Sequence, residues 1–138
     1  MKRVIFFLLT ISILSCETPL TEKIEAKYPN DQPKLISYFR EKDGKKEKVK
    51  EKYFHENGQL KMEGTILNGK REGEWKAYFD NGQIQSIGEF KDGRRTGATK
   101  VYYVNGKLFY EGFYNGEKKT GHWKFYNEKG NLVDEKDF

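Results

Sequence analysis

One cysteine, Cys16, stands in a chain of 138 residues. It has no partner for an internal disulfide, so the fold must be held by packing and hydrogen bonds alone. Histidine is nearly as scarce. His55 and His122 are the only two, with no cysteine or second histidine at ligand spacing, which argues against a metal site. Beyond residue 15 serine occurs only at Ser37 and Ser86, and neither lies in a nucleophile elbow. A long apolar run is also missing. Val4 to Leu14 is eleven residues, interrupted by Thr10 and Ser12, where a membrane-spanning helix needs about 20. Charge of one sign is in short supply. The formal net charge of +5 falls to +3 once Lys2 and Arg3 are set aside, too little to imply nucleic-acid binding.

Glycine, by contrast, is abundant and periodic. Gly58, Gly82, Gly106 and Gly130 are each 24 residues apart, as are Gly64, Gly88 and Gly112, and Gly73, Gly97 and Gly121. Three glycine columns keeping one period mark a repeat protein. Each repeat reads as two strands and two turns. Asn57-Gly58, Asn81-Gly82 and Asn105-Gly106 are hairpin signals of the type I′ kind. The first repeat predicts strands at 59–67 and 74–79, with a second turn that begins at Asn68-Gly69 and closes near Gly73. Period-2 alternation places Trp75, Ala77 and Phe79 on one side, and Leu60, Met62, Gly64 and Ile66 together on the other strand. A column glycine on the packed face lets a neighbouring aromatic ring lie flat across the strand. Two slips interrupt the period: Tyr53-Phe54 stands one residue too far from its Asn-Gly, and Asn115-Gly116 comes one residue early. The expected fold is all-β, an elongated, twisted antiparallel sheet of stacked hairpins.

The termini add to this. Lys2 and Arg3 followed by the short apolar run have the form of a signal peptide over residues 1–15. Ile13-Leu14-Ser15-Cys16 resembles the lipobox of bacterial lipoproteins, and that resemblance implies a diacylglycerol on the Cys16 thiol and cleavage before it. Residues 16–33, which hold all three prolines, read as the lipidated cysteine and a polar tether, within which a short amphipathic helix around 22–28 is the alternative to extended chain. The remaining 34–138 form the β domain. It comprises a lysine-rich leading hairpin at 34–54 that caps the sheet edge, three repeats at 55–130 and a terminal cap at 131–138.

The runs Gly73-Glu-Trp-Lys-Ala-Tyr-Phe-Asp-Asn-Gly82 and Gly121-His-Trp-Lys-Phe-Tyr126 resemble the MORN-repeat variant of bacterial lipoproteins, often labelled a YwqK-type antitoxin. The likeness covers about 53–136 and implies stacked hairpins, a scaffold or binding role and no catalytic residues. Ala98-Thr99 departs from it, standing where the other repeats have Glu74-Trp75 and His122-Trp123. No catalytic residue and no cofactor other than lipid at Cys16 is expected. Gly64 to Lys70 has phosphate-loop spacing, but Arg71 follows where Ser or Thr is needed, and a strand follows where a helix is needed. Glu63, Glu89 and Glu111 are expected to pair with cross-strand lysines. A row of Trp75, Phe79, Tyr103, Tyr110, Tyr114 and Trp123 is either a face for a protein or glycan partner or a set of rings that pack only on one another. Three functions compete: a membrane-anchored binding or scaffold lipoprotein facing the periplasm or exterior, which is the expectation; an antitoxin that neutralises a partner; and an envelope enzyme acting on glycans.

Overall fold

The structure, a computed structural model, describes residues 19–138. The segment expected to be a signal peptide, 1–15, and Cys16 lie outside them. The first five strands are β1 (Thr21–Lys27), β2 (Pro33–Lys42), β3 (Lys45–Phe54), β4 (Leu60–Leu67) and β5 (Lys70–Tyr78). The second five are β6 (Ile84–Lys91), β7 (Arg94–Tyr102), β8 (Leu108–Asn115), β9 (Lys118–Tyr126) and β10 (Leu132–Asp137). They pair in chain order as one open antiparallel sheet, so every connection is a hairpin.

Two kinds of turn alternate along it. At one end of the strands Asn68-Gly69 and Asp92-Gly93 have φ of 50°, 75°, 52° and 81°, the paired positive values of a type I′ turn. Gly116-Glu117, at 58° and 77°, keeps the same place 24 residues on. The slip expected at Asn115-Gly116 is therefore only apparent. The glycine has moved to the first turn position, and Asn115 pairs with Lys118 as the last strand residue. Likewise His55 occupies the turn position of Phe79 and Tyr103, so nothing is inserted after Tyr53-Phe54.

At the other end the Asn-Gly turns are not type I′. Only the glycine has positive φ, 82° at Gly58 and 83° at Gly82. His55 N bonds Gln59 O at 2.8 Å and Gly58 N bonds His55 O at 2.9 Å, the pattern of a three-residue loop closed by a glycine bulge. The asparagine serves through its side chain. Asn57 Oδ1 accepts from Gln59 N at 3.0 Å while Nδ2 donates to Asp80 O of the next hairpin at 2.9 Å. Gly73 is not the end of a turn either. It sits inside β5 at φ 68°, where the register slips between Gly64 opposite Trp75 and Thr65 opposite Glu72.

The tether reading fails from Thr21 onward, and so does the helix around 22–28. Thr21 to Lys27 is strand β1, which pairs with β2 from Thr21 opposite Phe39 to Lys27 opposite Pro33. The edge cap is consequently β1 rather than the 34–54 hairpin, which lies inside the sheet. Alternating Lys and Glu in TEKIEAK suit β1 to an exposed edge.

Candidate functional site

Directly opposed residues of antiparallel strands share a face. The pairs Gly64 with Trp75, Trp75 with Gly88, Gly88 with Thr99, and Thr99 with Gly112 therefore trace one row across β4 to β8. Trp75 and Trp123 lie flat on Gly64 and Gly112, so closely that a Cβ on either glycine would overlap the indole. The two indoles are 3% and 0% exposed and, with Ile66, form the core. Each ring nitrogen has a partner: Trp75 Nε1 donates to Thr65 O and Trp123 Nε1 to Thr120 O, both at 3.1 Å.

Over these rings stands a column of cations that hydrophobic periodicity passes over, because it assigns lysine and arginine to solvent. Arg71, Arg95 and Lys119 keep the 24-residue period, and that spacing was readable in the sequence. The Arg71 guanidinium is 4.3 Å from the Trp75 centroid and 5.5 Å from Phe90. Arg95 is 5.4 Å from Tyr114, and Lys119 Nζ is 4.5 Å from Trp123. Cations at such distances are held by the ring faces. Tyr110 packs 5.7 Å from Trp123 and Tyr114 5.2 Å from it. Burial, then the neighbouring Tyr114, pushes the Tyr110 hydroxyl pKa up, with Arg95 opposing.

Of the six ring positions expected to form one face, Trp75, Tyr110, Tyr114 and Trp123 do so, with the tryptophans as floor. Phe79 and Tyr103 do not join the row. They open the Asn-Gly turns at the sheet's margin, where Tyr103 Oη donates to Tyr126 O at 2.9 Å and its ring meets Phe109 at 4.8 Å.

In the second repeat Thr99 takes the indole's place. Its Oγ1 turns to Ile87 O at 3.3 Å, and the surface of Gly88 is left bare apart from that hydroxyl. The result is a cleft of about 190 Å³. Trp75 on β5, Phe90 on β6 and Tyr110 and Tyr114 on β8 line it, as do Arg71 and Arg95.

The opposite face is ionic. Glu63 accepts from Lys50 Nζ at 2.8 Å and Tyr78 Oη at 3.2 Å, and Glu111 from Tyr126 Oη at 3.0 Å with Lys100 at 3.9 Å. Burial pushes the Glu63 carboxyl up, but the Lys50 hydrogen bond and charge outweigh it and hold the pKa below the usual range. Glu89 is no third member of this set. The column that holds Glu63 and Glu111 continues at Ile87, and Glu89 faces Thr96 and Glu74. His122 is exposed on β9. Nδ1 meets Asp137 at 2.8 Å and Nε2 meets Glu135, both on β10. The two carboxylates, Asp137 first, raise its pKa.

Residues 49–68, 71–92, 95–115 and 119–138 each match one family, the MORN repeat variant. None of the curated proteins matches the chain. The four matched segments cover more than half of the residues and follow the hairpins in order, so the chain belongs to the MORN repeat variant family.

Proposed function

We propose that this chain is a non-catalytic binding module of the cell envelope, anchored by lipid at Cys16, which receives a protein or glycan partner on the Trp75–Trp123 face. The observation that carries the reading is the periodic column of Arg71, Arg95 and Lys119 over aromatic rings. Arginine and aromatic side chains supply most of the binding energy at interfaces, because they offer wide apolar area together with directed polar contacts. Here they are already ordered by the sheet, so less side-chain entropy is lost on binding. The anchor is supported by Lys2, Arg3, the eleven-residue apolar run and the Ile13-Leu14-Ser15-Cys16 sequence. Two or three acyl chains at about 0.8 kcal/mol per buried CH₂ would hold it permanently at a membrane.

Two measurements test this. Mass spectrometry of the host's membrane fraction should find an acylated peptide beginning at Cys16 that Cys16→Ala abolishes. A full-length soluble chain starting at Met1 would overturn the anchor. Photocrosslinkers placed at Tyr114 and, on the opposite face, at Lys76 should capture different partners. Identical products from both positions would remove the face assignment. Neutralisation of a toxic partner is a special case of the same binding, and rescue by co-expression with a neighbouring toxic gene would identify it.

A further inference from the structure

We infer that the cleft over Gly88 is the anchor pocket for one aromatic side chain of a partner segment that also carries carboxylates. This rests on the binding reading above and names the chemistry of its partner. The chain itself shows how a ring sits on this face, since Trp75 covers Gly64 and Trp123 covers Gly112. Gly88 repeats the same backbone surface with no ring on it, because Thr99 stands where the tryptophan belongs. An array built for stability alone would fill the gap, since a void forfeits contacts on every side. What the gap leaves is a slot walled by Trp75, Phe90, Tyr110 and Tyr114, the flanks that an inserted ring would stack against.

Charge and size specify the occupant further. The lining cations Arg71 and Arg95 are positioned over Phe90 and Tyr114, and Glu117, 4.0 Å from Arg95 Nε, is half exposed. They favour carboxylates next to the inserted ring and disfavour lysines there. At about 190 Å³ the cleft is smaller than the roughly 300–1,000 Å³ that encloses a free small ligand. It fits one residue of a larger partner, as the central pocket of an interface does.

The test uses the full isotope-labelled chain in mild detergent, with backbone amide shifts of Gly88 and Thr99 followed during titration. The probes are the capped tripeptides Glu-Trp-Glu, Glu-Ala-Glu and Lys-Trp-Lys. Glu-Trp-Glu should bind at least about tenfold more tightly than either of the others. Thr99→Trp rebuilds the missing indole. It should melt no lower than the parent and weaken Glu-Trp-Glu about tenfold or more. Gly88→Leu fills the slot from the other strand and should do the same if Thr99→Trp folds poorly. Equal binding of all three peptides, or full binding to both filled variants, overturns the proposal. So does tighter binding of free indole-3-acetate than of Glu-Trp-Glu, or a concentration-dependent dimer that Thr99→Trp dissolves, which would assign the slot to a second copy. Crosslinking at Tyr114 that survives Thr99→Trp would sink the pocket and leave the face standing. No capture at Tyr114 in the parent chain would sink both.

Discussion

Gly64, Gly88 and Gly112 share one column, yet they carry different loads. A methyl on Gly64 or Gly112 would enter an indole ring, whereas one on Gly88 would meet only Thr99 Oγ1 at 3.6 Å, an ordinary contact. Gly64→Ala and Gly112→Ala should each cost about 1–3 kcal/mol through overpacking. Gly88→Ala should stay within about 0.5 kcal/mol. Urea denaturation decides between them, and equal losses at all three positions would show that the ring contact is not what the glycines serve. His122 gives a second residue-scale expectation. Asp137 and Glu135 raise its folded pKa above the value of about 6.5 that it has in an unfolded chain. Its contribution is thus complete below that unfolded value and is lost as pH rises through the folded one. An NMR titration should place the His122 midpoint above that of the same residue in Asp137→Asn. A midpoint that does not move would mean the β10 carboxylates leave the imidazole untouched.

The elements differ most from their sequence reading at the turns, and the reason is physical. Asn-Gly satisfies two turn geometries, and the choice follows the pairing of the flanking strands: two residues separate the paired ends at Asn68-Gly69, and three at the loops that hold Asn57-Gly58 and Asn81-Gly82. At Asn57 and Asn105 the side chain also ties successive hairpins together, with Nδ2 donating to Asp80 O and Glu128 O at 2.9 and 3.0 Å. Asn81 Oδ1 accepts from Gln83 N at 3.0 Å, and its amide makes no such bond to the following turn. Asn57→Ala and Asn105→Ala should therefore each cost about 1–2 kcal/mol and Asn81→Ala roughly half of that, as judged by thermal melts. An equal loss at Asn81 would mean that only the Oδ1 acceptor matters. Strand β1 was missed for a related reason. Its TEKIEAK has the alternation of a solvated edge, Ile24 alone is a large apolar residue, and its register comes from β2 across the sheet. The strands from β4 to β9 were legible because glycine, ring and turn recur with one period.

At the scale of the whole molecule, the described residues form one sheet with no second layer, and this sets how stability is distributed. The core is a row of rings on one face, densest at the carboxyl-terminal end, where Trp123 touches Tyr110, Tyr114, Phe125 and Phe138. The sequence showed which rings recur but not this gradient, since Phe138 reaches Trp123 only through the pairing of β10 with β9. In such an array each hairpin leans on its neighbours alone, so a lesion should remain local. Trp123→Ala removes a fully buried indole and should cost about 3–5 kcal/mol. In hydrogen exchange that corresponds to amides of β8 to β10 opening about 100-fold faster or more. Amides of β4 and β5, which lie on Trp75, should change little. Intrinsic fluorescence from Trp75, the sole remaining tryptophan, should then report a later unfolding transition than the amides of β9 do. A uniform acceleration across the sheet would instead show that the ten strands open as one cooperative unit. The open slot over Gly88 would then be a weakness shared by the whole sheet rather than a local feature between two packed ends.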